Sequence, residues 1–409
     1  MNYNELYEFL KNEFDSKSSF ETIKDLNVTI ETTHFDSRKT DFLHGSSKYT
    51  CEKHNIEFGK EEDESHTIYG IPSVDAKDFD ISCNKSFDYY ILKRADIDKV
   101  EGTIIFFHGL NEKKWDKYLP WAYEFAQRTN KAVVLYPIAF HMNRAEEIWS
   151  DRHAMVEVAK YRKKNFKDNS DCSFVNAAIS SRLEAHPQRI FWSGFQTYSD
   201  VIALVEEIRS GGIKSISSTS TFDLFGYSIG SFLSIILKMA DPEGIFKTSK
   251  LFCFCGGMTI DRMFPISKYI MDARAAIKMQ TVYAELLSSE FKSDKRLGHF
   301  QNELMHQQES WFKMMLRYNY FQKDREKRIE EIQSHIKAYV LEKDEVAPPM
   351  EALNTLQGGY RNIKVDVEIQ DFPFDYSHMV PFPLTNKIQE EVTAAFHHFV
   401  SSASRFYNS

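Results

Sequence analysis

Phe222-Asp223-Leu224-Phe225-Gly226-Tyr227-Ser228-Ile229-Gly230 runs directly into an apolar stretch ending at Ala240, and Asp241-Pro242 stops it. A short apolar run, a Gly-x-Ser-x-Gly turn and a helix-length apolar segment in succession predict a strand, a sharp turn and a helix. The glycines at 226 and 230 have a steric reason, because such a turn brings backbones closer than a side chain tolerates. The same turn pushes the Ser228 hydroxyl out at the end of a strand, where it can serve as a nucleophile.

Outward from this turn the pattern repeats. Residues 87–92 (FDYYIL), 102–107 (GTIIFF), 132–136 (AVVLY), 251–255 (LFCFC), 336–341 (IKAYVL) and 365–369 (VDVEI) read as strands. Helical runs separate them, one carrying Trp121, Tyr123, Phe125 and Ala126 and the last carrying Ile388, Val392, Ala395, Phe396 and Phe399. The expected fold is α/β, a mostly parallel sheet with helices on both faces. Residues 81–257 and 336–409 form its core, residues 258–335 a helical cap insertion, and residues 1–80, acidic around Glu61-Glu62-Asp63-Glu64, an appendage of unclear structure. Residues 138–220 are helix-rich and have no assigned place. The cap holds Met258, Met263, Met271, Met279, Met305, Met314 and Met315, and flexible thioethers suit an apolar pocket that moulds to its substrate.

A serine at its free pKa needs a base, and the base needs an acid to fix its tautomer. Asp344 follows strand 336–341 in the loop Glu342-Lys343-Asp344-Glu345-Val346-Ala347-Pro348, and His378 follows strand 365–369, so both lie where open α/β sheets build sites. Asp261, after strand 251–255, and Asp375, close to His378, are alternative acids. His108-Gly109 follows strand 102–107, and His108 is expected to orient its loop. His141 and Arg144 follow strand 132–136 as candidate substrate contacts, with Arg144 able to grip a carboxylate. No metal is expected: His397-His398 have no convergent partners, and the five cysteines lack Cys-x-x-Cys spacing.

In these motifs the chain resembles the α/β-hydrolase superfamily of serine hydrolase type, over roughly residues 88–405. Residues 137–144 (PIAFHMNR) and 225–230 (FGYSIG) are also similar to an uncharacterised bacterial branch of it, a family of unknown function. The resemblance implies a catalytic triad of Ser228, Asp344 and His378, and an oxyanion hole from the backbone N–H groups of Leu110 and Ile229. It further implies hydrolysis of a carboxylic ester or related acyl bond of a small molecule, with no cofactor. A peptidase or acyltransferase would use the same triad, and a binding protein could keep the fold without the chemistry.

Composition narrows the partners. The 409 residues carry 51 Lys+Arg against 59 Asp+Glu, a formal charge of −8 that repels a phosphate backbone, so nucleic acid is not expected. The N-terminus lacks the basic and apolar regions of an export signal, and no apolar run approaches the roughly 20 residues of a membrane span. An odd, scattered set of cysteines (Cys51, Cys83, Cys172, Cys253, Cys255) points to a reducing cytoplasm. Nothing in the sequence fixes an oligomeric state.

Overall fold

The computed structural model describes residues 1–14, 20–59, 72–288 and 295–409. Eleven strands occur among them: β1 (Phe20–Ile23), β2 (Val28–Asp36), β3 (Tyr49–Cys51), β4 (Ile56–Phe58), β5 (Ser86–Arg94), β6 (Val100–Phe107), β7 (Ala132–Leu135), β8 (Ile216–Tyr227), β9 (Leu251–Phe254), β10 (Ile336–Leu341) and β11 (Asp366–Gln370). Nine form one sheet in the order β1-β2-β5-β7-β6-β8-β9-β10-β11, while β3 and β4 make a separate hairpin. From β7 to β11 every pairing is parallel, and the β1, β2 and β5 edge is antiparallel. This is the α/β-hydrolase architecture.

Side-chain alternation along the central strands builds two cores. Ile104 and Phe106 of β6 face one side, with Trp121, Phe125 and Phe399 from the helices Leu119–Thr129 and Gln389–Asn408. Ile105 and Phe107 face the other, with Leu204, Ile235 and Ile236 from the helices Arg189–Arg209 and Ile229–Ala240. Burial on both faces explains why these strands read as unbroken apolar runs. The chain leaves β6 for β7 on one side and later returns to β8 on the other, so the sheet order reverses at the β6/β8 junction. A crevice forms at such a switch point, at the C-terminal strand ends.

Three expectations are corrected. The described part of the first 80 residues is no appendage: β2 pairs along its whole length with β5, and Tyr3, Leu6 and Leu10 of the helix Tyr3–Phe14 enter the core beside Trp121 and Phe396. Glu61 to Glu64 lie outside the described residues. The insertion after β9 is not the whole roof, because the helices Arg152–Asn165 and Ala177–Ala185 contribute, the latter packing on Ala273–Ser288. The helix Gln322–Ile332 packs on Ile229–Ala240 and belongs to the core crossover. Among the described residues, no helix is long and apolar enough to cross a membrane.

If the N-terminal segment is part of the core, Leu10→Ala should cost about 2–5 kcal/mol, read as a lower denaturation midpoint. A chain lacking residues 1–36 should yield no soluble folded protein. A truncated chain melting like the intact one would return the segment to the status of an appendage.

Candidate active site

Four loops at the C-terminal ends of β6, β8, β10 and β11 bring the expected residues together. At the end of β8, Ser228 has φ 58° and ψ −119°, a left-handed backbone that costs a non-glycine residue about 1–3 kcal/mol. Packing holds it there. A Cβ on Gly226 would lie 2.4 Å from the backbone of Gly230 and Ser231, and one on Gly230 would lie 2.6 Å from the Phe107 carbonyl oxygen. Both glycines are therefore required by approach of backbone to backbone, and the elbow is wedged between β6 and the helix it opens.

The Ser228 hydroxyl donates to His378 Nε2 at 2.8 Å, and His378 Nδ1 donates to Asp344 Oδ2 at 2.7 Å. The second oxygen, Asp344 Oδ1, accepts from the backbone N–H groups of Val346 and Ala347 at 2.9 and 2.8 Å. Those two bonds fix the carboxylate, and the carboxylate fixes the imidazole with its proton on Nδ1, leaving Nε2 to accept from serine. All three side chains are buried. In this arrangement the Ser228 proton has an acceptor in place, and an imidazolium formed at His378 would have a counter-charge.

Several partners that the sequence did not flag hold the relay. The Tyr227 hydroxyl donates to the His378 carbonyl, and the two rings stack at 5.4 Å between centroids. Lys117 pairs with Glu112, donates to the Met379 carbonyl at 3.2 Å and lies 4.7 Å from the Tyr227 ring centre. It thus ties the β6 loop to the histidine loop. Tyr227 sits at the unconstrained position of the Gly-x-Ser-x-Gly pattern, and Lys117 in a polar loop, so neither carried a signal.

The other candidates separate cleanly. Asp261 accepts from Thr259 Oγ1 and from the Tyr318 backbone, while Asp375 is exposed. Neither approaches the role of Asp344. His108 is structural as expected: Nδ1 donates to the Gly109 carbonyl at 2.8 Å and Nε2 accepts from the Ile138 N–H at 2.9 Å, pinning the loops after β6 and β7 to each other. The Gly109 N–H is itself taken by the Tyr118 hydroxyl at 3.0 Å.

Arg144 is corrected. It is fully buried, paired with Asp200 at 2.8 Å, and donates to the Asn84 and Pro137 carbonyls, so it is a structural cation and no substrate anchor. His141, in contrast, lines a cleft together with Leu110, Phe140, Trp149, Ile179, Leu183 and Ile190. Lys113, Arg182 and Asp78 are also in the wall. The cap methionines are absent from this wall, and Met271, Met279 and Met315 are buried in the main core instead. Most of the lining, from Phe140 to Ser193, comes from residues 138–220, the part of the sequence that resisted placement.

The chain belongs to DUF6051, a family of unknown function. The family model matches residues 1–408. No curated protein matches the chain. Among solved structures it is similar to esterase Est22 (10% identity, TM-score 0.45, covering 95% of this chain and 84% of that one). It is also similar to carboxyl esterase 2 of the mycorrhizal fungus Tuber melanosporum (11% identity, TM-score 0.42, 79% and 82% covered). A third is the peroxisomal alpha-beta-hydrolase Lpx1 of Saccharomyces cerevisiae (12% identity, TM-score 0.38, 95% and 90% covered).

Two buried histidines, His108 and His141, should make this DUF6051 member less stable in acid. Burial holds His141 at about 4 and His108 well below the ordinary 6.5. The unfolded chain therefore binds more protons than the fold below pH 6.5, and stability falls as pH drops through that value, with the His141 part levelling off near pH 4. Between pH 8 and pH 5 His141 alone should remove about 2 kcal/mol, and His141→Gln should flatten the profile by that amount. Urea midpoints at the two pH values measure it. Parallel profiles for wild type and variant would contradict the assignment.

Proposed function

We propose that the protein is a serine hydrolase that cleaves a carboxylic ester or related acyl bond through an acyl-enzyme intermediate. The observation that carries this reading is the unbroken relay from Ser228 through His378 to Asp344, two hydrogen bonds of 2.8 and 2.7 Å on a strained elbow. Ser228 Oγ attacks the acyl carbon while His378 Nε2 takes its proton, and the imidazolium then protonates the leaving alkoxide. Water repeats the sequence on the acyl-enzyme and restores the hydroxyl. The N–H groups of Leu110 and Ile229 are the proposed oxyanion donors. The Gly109 N–H is committed to Tyr118, which supports Leu110 next in the β6 loop for this role, and Ile229 opens its helix, where N–H groups have no intrahelical partner. Five free cysteines support a reducing compartment for this chemistry.

Three substitutions test the assignment of roles. Ser228→Ala should abolish turnover of a nitrophenyl ester in a folded protein. Asp344→Asn should cost on the order of 10⁴ in kcat by giving His378 the wrong tautomer, while Asp261→Asn should change little. Turnover that survives in folded Ser228→Ala, or a larger loss at Asp261 than at Asp344, would refute it.

The apolar part of the cleft beside Leu110, lined by Phe140, Trp149, Ile179, Leu183 and Ile190, supports an acyl group that is mainly apolar. Each methylene buried there is worth up to about 0.8 kcal/mol, so kcat/KM should rise by up to about fourfold per added carbon until the cleft fills. A flat series from acetate to octanoate, or preference for a carboxylate-bearing acyl group, would place the acyl chain elsewhere.

A further inference from the structure

Far from the relay in sequence, the β3 to β4 hairpin, the helix Lys295–Phe300 and the segment that follows it bring together Cys51, His54, His299 and His306. Cys51 Sγ lies 3.5 Å from His54 Nδ1 and 3.5 Å from His306 Nε2, and His306 Nε2 lies 3.0 Å from His299 Nε2. All four donor atoms fall within 4.8 Å of one another. Bonds of about 2.3 Å to sulfur and 2.0–2.1 Å to nitrogen give a tetrahedral zinc site edges of about 3.6 Å for S to N and about 3.4 Å for N to N. The cluster already has those spacings to within a few tenths of an ångström along the three closest edges. We propose that Cys51, His54, His299 and His306 bind one zinc(II) ion in a closed, structural site.

The surroundings fit a ligand set better than a packed core. Cys51, His299 and His306 are buried, and the thiol, whose contacts to His54 and His306 are at 3.5 Å, recovers little of the hydration it loses. Glu309 places a carboxylate oxygen 3.3 Å from His306 Nδ1, the nitrogen facing away from the cluster. With the ion bound, a hydrogen bond across that approach would orient and polarise the imidazole. The imidazole planes cross steeply, His54 against His306 at 79° and His299 against His306 at 82°, so the rings meet through their edges and nitrogens rather than stacking.

Cys-x-x-His in the hairpin turn supplies two ligands and His299 and His306 the other two, with 255 positions between Cys51 and His306. The metal would clip the hairpin, which has two strands of three residues and is marginal by itself, to the inserted helix. Arg296 of that helix already donates to the Phe42 and Gly59 carbonyls around the hairpin, so the ion would close a contact that is already partly built. Four protein ligands leave no open position, and the role is structural. Coordination breaks the Cys51 S–H bond, forms Zn–S and releases the proton to solvent, with no redox change.

The test uses the untagged full-length protein. Purified from zinc-supplemented medium, it should carry one zinc per chain by elemental analysis. Stripped with dipicolinate and reloaded with cobalt(II), it should show a near-ultraviolet thiolate-to-cobalt charge-transfer band with the intense visible bands of tetrahedral cobalt. Zinc should raise the melting temperature of the stripped protein by several degrees. Cys51→Ser should erase the charge-transfer band, and Glu309→Gln should weaken zinc binding about 10- to 100-fold while leaving the four ligands in place. Wild-type protein that holds no stoichiometric zinc and gives no cobalt charge-transfer band would overturn the proposal, even if no Cys51 variant folds. A six-coordinate cobalt spectrum unchanged by Cys51→Ser would overturn it equally.

Discussion

The backbone at Ser228 is the constraint on which the rest of the site depends. A left-handed serine between a strand and a helix persists only because the surrounding backbones leave nowhere else to go. Gly226 and Gly230 pack against each other and against the end of β6, and a Cβ on Gly256, after β9, would meet Ser231 at 2.6 Å and the Ser228 carbonyl at 2.9 Å. Three adjacent strands thus meet at one turn. The packed cores on both faces of the sheet hold those strands, and so sustain the strain at Ser228.

From this fixed point the relay follows by topology. Parallel strands place all their C-terminal ends on one edge, so the loops after β8, β10 and β11 converge without long excursions. Asp344 is locked by two N–H groups of its own loop, and the histidine loop is held by Tyr227 and Lys117. The sites for the proposed hydroxyl, base and acid are therefore set by short-range contacts that arise before any substrate arrives. That preorganisation is what acyl transfer at a serine requires.

Much of this was legible because buried parallel strands write themselves as apolar runs. Residues 336–341 match β10 at both ends, and the pairing of Ser228 with Asp344 and His378 followed from where such strands stop. What escaped notice did so for physical reasons. β2, VTIETTHFD, lies near the antiparallel edge, exposes part of itself and mixes threonine with charge, so it lacks the core-strand pattern. Arg144 looked like a substrate anchor because sequence cannot show that Asp200, on a helix 56 positions later, neutralises it. Cys51 and His54 were passed over since their partners lie in an insertion far along the chain, and only the fold brings them near.

The most direct test of the central claim is mass spectrometry of the protein after incubation with a fluorophosphonate. The account predicts a single covalent adduct per chain, located by peptide fragmentation on Ser228 and abolished by prior unfolding, because only the folded relay makes that hydroxyl nucleophilic. An unmodified protein, or an adduct on another serine with Ser228 untouched, would contradict it.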